Sequence, residues 1–359
     1  MISVALLVSA ALVQGATPPD STPRPKTTVL PVVSYSEVTG FQYGAMVLRG
    51  YRASADSSTR ASSLSAYLAH TSKDYLKWYA QSDVWWGRGD SRHWRSRVEY
   101  ISYPLPFYGI GGSAPDSAEE WYSSGVLTFH AFGQRAVRPS TYIHAGARYV
   151  RSHLREWEDG GLLASRAFEG AQPGRPDISV VTAELGVVVD TRDNLVAPRA
   201  GTYARIIPSL ASGWLGSEYA FRRLTVDWRS YGTLGRFTTA KQVQYDGVAG
   251  GVVPFDQLPM LGADTAMRGY PRGRYRDRHA ITAQVEVRSP HWRRIGGVTF
   301  AGAGTVSHAL TALDSESWFP TAGIGLRYVL LPKDRTVARV DFAIGRGSFG
   351  INLGIGEAF

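Results

Sequence analysis

One arginine between two strand-like segments is the residue most able to carry chemistry in this chain. Arg268 lies in the segment 261–270, LGADTAMRGY. From Ile281 to Arg288 apolar and polar residues alternate, so one face would meet lipid and the other water, with Glu286 on the polar face. A guanidinium keeps its charge, so inside a lumen it needs acceptors, and a forked pair with Glu286 would pin the loop. The alternative is a solvated arginine in a surface loop.

Catalytic and metal-binding patterns are otherwise sparse. His130 and His144 would both point inward on adjacent strands, but a zinc site needs further ligands, and ordinary polar roles in the lumen are favoured. The sequence has no Gly-x-Ser-x-Gly, His-Glu-x-x-His or phosphate-cradling loop, so no enzyme, cofactor or metal is predicted. A lipase triad assembled on the wall stays open as a minor alternative, because triads are defined by geometry.

Composition favours a β-barrel that crosses a membrane. The chain has 359 residues and 44% hydrophobic content, yet beyond the N-terminus no apolar run approaches the roughly 18 residues of a spanning helix. A closed barrel is the other way to satisfy every backbone polar group in lipid, and 39 Gly, 19 Tyr and 10 Trp suit it. The net charge of +9 comes mostly from scattered arginines, which favours lipid phosphates and lumenal carboxylates as partners over nucleic acid.

Periodicity divides the chain into three parts. Residues 1–16 resemble a signal peptide, 17–27 form a leader, and 28–359 form an all-β transmembrane antiparallel barrel. Long connections at 104–120, 154–177 and 251–279 would face outward if the N-terminus is periplasmic, and the last of them, between strands 11 and 12, would fold inward. The sixteen predicted strands are 28–36, 41–52, 62–72, 75–86, 93–103, 121–133, 141–153, 178–190, 202–212, 219–231, 237–250, 280–289, 298–307, 321–331, 336–345 and 348–359.

Several motifs resemble those of the bacterial surface antigen superfamily, the BamA and TamA outer-membrane assembly family, over nearly the whole mature chain. The sequence 267–270, MRGY, is similar to that family's lumenal loop tip of Arg268, Gly269 and Tyr270, and Glu286 lies where the family keeps a carboxylate partner. The remaining motifs are the turn at Asp190, Arg192 and Asp193, the outer loop at 107–111, FYGIG, and the last strand ending in Phe359.

The resemblance implies a bacterial outer-membrane protein that acts in membrane-protein assembly or translocation. No POTRA repeats precede the barrel in this sequence, so capture of client polypeptides would need a periplasmic or outer-membrane partner protein. Gly302 stands where BamA-like members carry an aspartate, and Asp341 is the candidate substitute because it shares the inward parity of Arg339. The alternatives are a passive pore, a lipid-handling channel, or a structural subunit of a complex.

The first strand suggests a weak seam in the barrel wall. Pro31 donates no ladder hydrogen bond, and after closure its neighbour would be the glycine-rich last strand that ends in Phe359. We therefore expect either a pliable seam or, equally, a proline that merely begins the strand near the rim.

Overall fold

A computed structural model describes residues 26–36, 40–56, 59–164, 177–262, 266–312, 318–332 and 335–359. The described chain forms one antiparallel sheet of sixteen strands, in which each strand pairs with its neighbours in sequence. The strands are β1 (Lys26–Ser36), β2 (Gly40–Tyr51), β3 (Ser62–Thr71), β4 (Leu76–Trp86), β5 (Arg92–Phe107), β6 (Glu120–Arg138), β7 (Thr141–Glu156), β8 (Asp177–Asp190), β9 (Gly201–Ala211), β10 (Phe221–Leu234), β11 (Phe237–Ala249), β12 (His279–Arg288), β13 (Ile295–Ser307), β14 (Phe319–Leu331), β15 (Thr336–Gly345) and β16 (Ser348–Ile355).

The two faces of the sheet follow the alternation in the sequence. On β12, Gln284 and Glu286 are buried, whereas Val285 between them is 40% exposed. On β7, His144 is buried and Ile143 is 52% exposed. Large apolar side chains therefore cover the outer face, as a lipid-facing wall requires, and polar side chains face the lumen. The predicted all-β architecture with sixteen antiparallel strands is confirmed.

The two ends of the sheet differ in their connections. Connections after the even-numbered strands, from β2 to β14, have ten residues or fewer, and we call this the short-turn end. The opposite, long-loop end carries the long connections that follow β5, β7 and β11. Where the connections are described, they contain five short 3-10 turns, at Arg88–Asp90, Asp116–Ala118, Gly213–Leu215, Phe255–Gln257 and Leu310–Ala312. No helix in the described ranges is long and apolar enough to cross a membrane.

The β11–β12 connection occupies the lumen. Its Phe255 contacts Phe107 and Tyr122, with ring centroids 5.5 and 5.4 Å apart, so aromatic side chains from the wall and the loop pack edge to face. Leu261 and Met267, both 1% exposed, pack with wall residues of β12, β13 and β14. The described part of the loop therefore fills the lumen as a plug whose apolar side chains pack against the wall.

The last strand is shorter than the alternation predicts. β16 ends at Ile355, whereas the prediction continued it to Phe359. Gly356, at φ +84°, turns the chain off the wall, and its amide donates to the Val337 carbonyl at 2.7 Å. Such a φ favours glycine, which is why the turn occurs here. We call Gly356–Phe359 the tail segment.

At the other end of the chain, β1 begins at Lys26, two residues before its predicted start and inside the predicted leader. The predicted signal peptide, 1–16, and the rest of the leader lie outside the described residues.

Candidate functional site

The tip of the β11–β12 loop rests against the inner face of β15 and β16. Gly269 has φ +100°, and a Cβ placed there would come within 3.0 to 3.2 Å of the β15 backbone around Ile344. Gly350 on β16 faces the same point, since its own Cβ would lie 3.2 Å from the Gly269 Cα. The positive φ of Gly269 and the two close approaches, at Gly269 and at Gly350, all favour glycine at these positions.

Tyr270 fastens the tip to the wall. Its hydroxyl donates to the Pro320 carbonyl and accepts from the Arg346 amide, each at 2.7 Å. Its ring lies 5.9 and 6.3 Å from those of Tyr275 and Phe319. The side chain therefore links the loop to β14 and to the β15–β16 turn through both polar and apolar contacts.

The Arg268 guanidinium is enclosed by carboxylates from two distant strands. Its Nη2 donates to Glu286 Oε1 on β12 at 2.5 Å, and its Nη1 donates to Asp341 Oδ2 on β15 at 2.7 Å. The guanidinium carbon lies 3.5 Å from the centre of the Phe300 ring, and its side chain is fully buried. The backbone carbonyl of Arg268 accepts a hydrogen bond from Thr321. The structure thus brings together the predicted arginine and both predicted carboxylates.

Three further arginines extend these pairs toward the short-turn end. Arg288 donates to Glu286 Oε2 at 2.8 Å, and Arg327 and Arg339 donate to Asp341 at 2.5 and 3.0 Å. Glu357 of the tail segment accepts from Arg327 Nε at 2.8 Å and lies 3.6 Å from Arg288 Nε. We call these residues the buried ion network: Arg268, Glu286, Arg288, Arg327, Arg339, Asp341 and Glu357.

The wall is shaped to let Asp341 reach the loop. A Cβ at Gly325 on β14 would lie 2.1 Å from Asp341 Oδ1 and 2.9 Å from Arg327 Nη1, so only glycine leaves that pair its space. On β13 the residue facing Arg268 is Phe300, while a Cβ at Gly302 would meet the neighbouring Gln284. An aromatic face thus supports the guanidinium from β13, and the carboxylate comes from β15.

Sequence reasoning missed Arg288, Arg327 and Glu357 as members of the network. Arg288 is two residues from Glu286 and shares its parity, which was a usable signal. Arg327 and Glu357 carried none, because the place of Arg327 beside Asp341 depends on the β14–β15 register and that of Glu357 on where the tail segment turns.

The predicted turn motif forms a separate structure at the short-turn end. Asp190 accepts from Arg192 Nε and Nη2 at 2.9 and 3.0 Å. Asp193 accepts from the Arg199 amide at 2.8 Å and from Arg335 at 2.6 Å. Burial opposes ionisation of Asp193, but these hydrogen bonds hold the pKa of its carboxyl below its usual value. The motif therefore ties the β8–β9 turn to the β14–β15 turn.

The residues of the predicted seam are not brought together. Pro31 pairs with Ala45 of β2 and faces outward, and no ladder joins β1 to β16 within the described chain. Phe359 lies in the lumen, packed against Tyr231 and Ala240, and its carbonyl accepts from Arg288 Nη2 at 3.0 Å. Its placement at the seam was therefore wrong, because the chain leaves the wall at Gly356.

His130 and His144 point inward as the alternation predicts. Both Nε2 atoms lie near Glu184 Oε2, at 3.0 and 3.3 Å, and His93 lies 3.0 Å from Gln134 on the same wall. They line a cavity of about 750 Å³ together with several charged side chains. Within the described ranges, no group of three or more His, Cys, Asp or Glu side chains is arranged to hold a metal ion.

Comparison with known proteins agrees with this architecture. The Omp85 superfamily domain matches residues 117–359. The chain belongs to the Omp85 superfamily. This Omp85 chain is similar in fold to BamA from Haemophilus ducreyi lacking POTRA domains 1–3, at 15% identity and a TM-score of 0.60, over 92% of this chain and 69% of that one.

A second solved structure with the same fold is CdiB from Acinetobacter baumannii. Its identity is 9% and its TM-score 0.53, over 90% of the Omp85 chain and 62% of CdiB. No curated protein matches the sequence. The match confirms the expected resemblance to the BamA and TamA superfamily, and at these identities the two solved structures show the fold alone.

Proposed function

We propose that this Omp85 chain is a bacterial outer-membrane barrel that assists polypeptides to enter or cross that membrane. The apolar outer face and the family membership support the location, with outer-membrane lipid around the wall. We orient the barrel in the membrane with its short-turn end toward the periplasm and its long loops toward the outside of the cell. No enzymatic activity is part of the proposal.

The observation that carries the proposal is the fully buried Arg268 held between Glu286 and Asp341. These ion pairs, with the glycine contacts at the tip, hold the β11–β12 loop inside the lumen. A plug attached by a few charged contacts at its tip has two defined positions, docked and undocked. Undocking would open the lumen, while docking keeps solutes from leaking through a barrel that handles polypeptides.

An insertion assay tests this function directly. The purified chain is reconstituted in lipid vesicles, and the folding of a small unfolded outer-membrane barrel protein is followed by its protection from protease. Folding should be several-fold faster than in vesicles that carry an unrelated outer-membrane barrel at the same protein-to-lipid ratio. Equal rates in the two preparations would refute an assembly role.

A passive pore is the second candidate, and the cavity of about 750 Å³ on the β4–β9 side favours it. Its wall is polar and charged, as in a water-filled channel. Single-channel recording separates the two functions. A large and steady open state in the unaltered protein indicates a pore, whereas a closed or flickering state that opens in Arg268→Ala indicates a plug.

A periplasmic or outer-membrane protein that delivers client polypeptides is the partner we infer. Co-purification from native membranes after mild detergent extraction tests for it. Recovery of a stable partner without any client would favour a structural subunit of a complex. Recovery of neither would weaken the assembly role and favour the pore or a lipid-handling channel.

A further inference from the structure

A second cavity lies at the short-turn mouth of the lumen, next to the buried ion network. The cavity has a volume of about 380 Å³. Among the described residues that line it are five arginines and a single carboxylate, that of Glu357. We call it the arginine pocket, and its five arginines are Arg199, Arg236, Arg288, Arg327 and Arg335.

The chain's own tail segment lies beside this pocket: Glu357 forms part of the lining, and Phe359 packs next to it against Arg288. Glu357 accepts from Arg327 Nε at 2.8 Å, and its amide donates to the Val196 carbonyl at 3.3 Å. Two residues on, the Phe359 ring lies 5.6 Å from the Arg288 guanidinium carbon. The contacts combine a carboxylate on an arginine, a backbone hydrogen bond and an aromatic ring beneath a second arginine.

The pocket keeps hydrogen-bond donors that the tail segment does not use. Arg327 is 1% exposed, and its Nη2 has no hydrogen-bond partner among the described residues. Arg199 and Arg236 make no ion pair with another residue of the described chain, whereas Arg335 is paired with Asp193 at 2.6 Å. The pocket can therefore hold more negative charge than Glu357 supplies.

We propose that the arginine pocket is a peptide-binding site that takes an acidic segment of a periplasmic polypeptide in place of the tail segment. The ligand presents a carboxylate and, two residues later, an aromatic ring. A peptide fits better than a lipid headgroup because the lining includes the buried, inward-facing Arg288 and Arg327, on the face of the wall opposite to lipid. This inference rests on the proposed function, since it assigns that function's partner or client a place to bind.

Binding is measured on the full chain in detergent micelles by fluorescence anisotropy. The probe is a labelled, amidated peptide with the sequence of residues 354–359, GIGEAF. The double variant Glu357→Gln/Phe359→Ala frees the pocket, so it should bind the probe about tenfold more tightly than the unaltered chain, the effect of one charge-assisted contact. The probe with Gln in place of Glu should bind neither form.

A second variant tests the pocket through two arginines that lie outside the buried ion network. The substitutions Arg199→Gln and Arg236→Gln are made together in the freed form and should weaken binding of the probe about tenfold. The control is Arg138→Gln, an exposed arginine at the same end of the sheet but away from the pocket, which should leave binding of the probe unchanged. Heat-modifiable migration on gels shows that each variant is folded. Raised salt should also weaken binding.

Three outcomes would overturn the proposal. In the first, the probe does not bind to the freed form. In the second, binding of the probe does not change when the two arginines are substituted. In the third, the arginine substitutions reduce attachment of phosphatidylglycerol micelles and leave peptide binding unchanged. The binding measurement does not use the insertion assay. Peptide binding without faster folding of a client would therefore refute the proposed function, whereas faster folding without peptide binding would refute the pocket.

Discussion

Replacing Arg268 with alanine should destabilise the folded barrel less than replacing Asp341 with asparagine, although the two residues form one ion pair. Within the described chain, the buried ion network has four guanidinium groups and three carboxylates. Without Arg268, three charges of each sign remain and every carboxylate keeps an arginine. Without the Asp341 carboxylate, four arginines share two carboxylates.

The expected magnitudes follow from this imbalance. Removing one partner of a buried pair costs about 3 to 5 kcal/mol because it leaves a buried charge without compensation, and Asp341→Asn should fall in this range. Arg268→Ala leaves a balanced network, so its cost should be that of lost hydrogen bonds to charged groups, about 1.5 to 3 kcal/mol. The difference corresponds to roughly tenfold or more in the unfolding equilibrium.

Urea unfolding of the reconstituted protein, followed by tryptophan fluorescence, measures both free energies. Asp177→Asn is the control, because its pairs with Arg151 and His153 are solvent-exposed and should contribute little to stability. Both network variants should also raise the open fraction in single-channel recordings. An Arg268→Ala cost equal to or above that of Asp341→Asn would refute the charge-balance reasoning.

Three further predictions concern the loop tip and the short-turn end. Gly269→Ala should undock the tip and raise protease cleavage of the loop, because the added Cβ would meet the β15 backbone. Gly235→Ala is the control: this glycine also has a positive φ, but no atom lies within 4 Å of an added Cβ, so cleavage should be unchanged. Tyr270→Phe should cost about 1 to 3 kcal/mol in urea unfolding, since two partly buried hydrogen bonds, to the Pro320 carbonyl and from the Arg346 amide, are lost. Burial lowers the pKa of His291 in the β12–β13 turn, although the nearby Glu357 carboxylate acts in the opposite direction. As the pH falls, His291 therefore binds a proton in the unfolded chain before it does so in the folded one. The free energy of unfolding should decrease as the pH drops below about 6.5. His291→Gln should reduce that slope, and an unchanged slope in the variant would contradict the assignment.

The strands of this barrel were predictable from the sequence because their signal is local. In a strand, every second residue lies on the same face of the sheet, and this holds whatever the neighbouring strand is. This alternation placed Glu286 and Val285 on opposite faces and assigned His130 and His144 to the lumen. It could not show that the chain leaves the wall after Ile355, because Gly356 turns a segment that is otherwise compatible with a strand.

The candidate site was predictable only in part. Arg268 was singled out by its position in a loop between two alternating segments, and Asp341 by parity. The contact between them joins residues 73 positions apart and requires a glycine at position 325 to leave space. No local pattern contains that requirement, since it depends on the register that places Gly325 opposite Asp341 in the β14–β15 ladder.

The amino-acid sequence alone determined the number of strands, the face on which each side chain lies and the identity of the arginine that must find acceptors. These are properties of single segments and of the cost of an unpaired charge. Only the tertiary structure decided that Arg327 and Glu357 join the network and that the tail segment enters the lumen. Arg327 reaches Asp341 because the β14–β15 register places Gly325, one inward-facing position away, opposite Asp341, and Glu357 reaches Arg327 because the chain turns at Gly356. Local alternation contains neither the register between two strands nor the path of a segment that has left the wall.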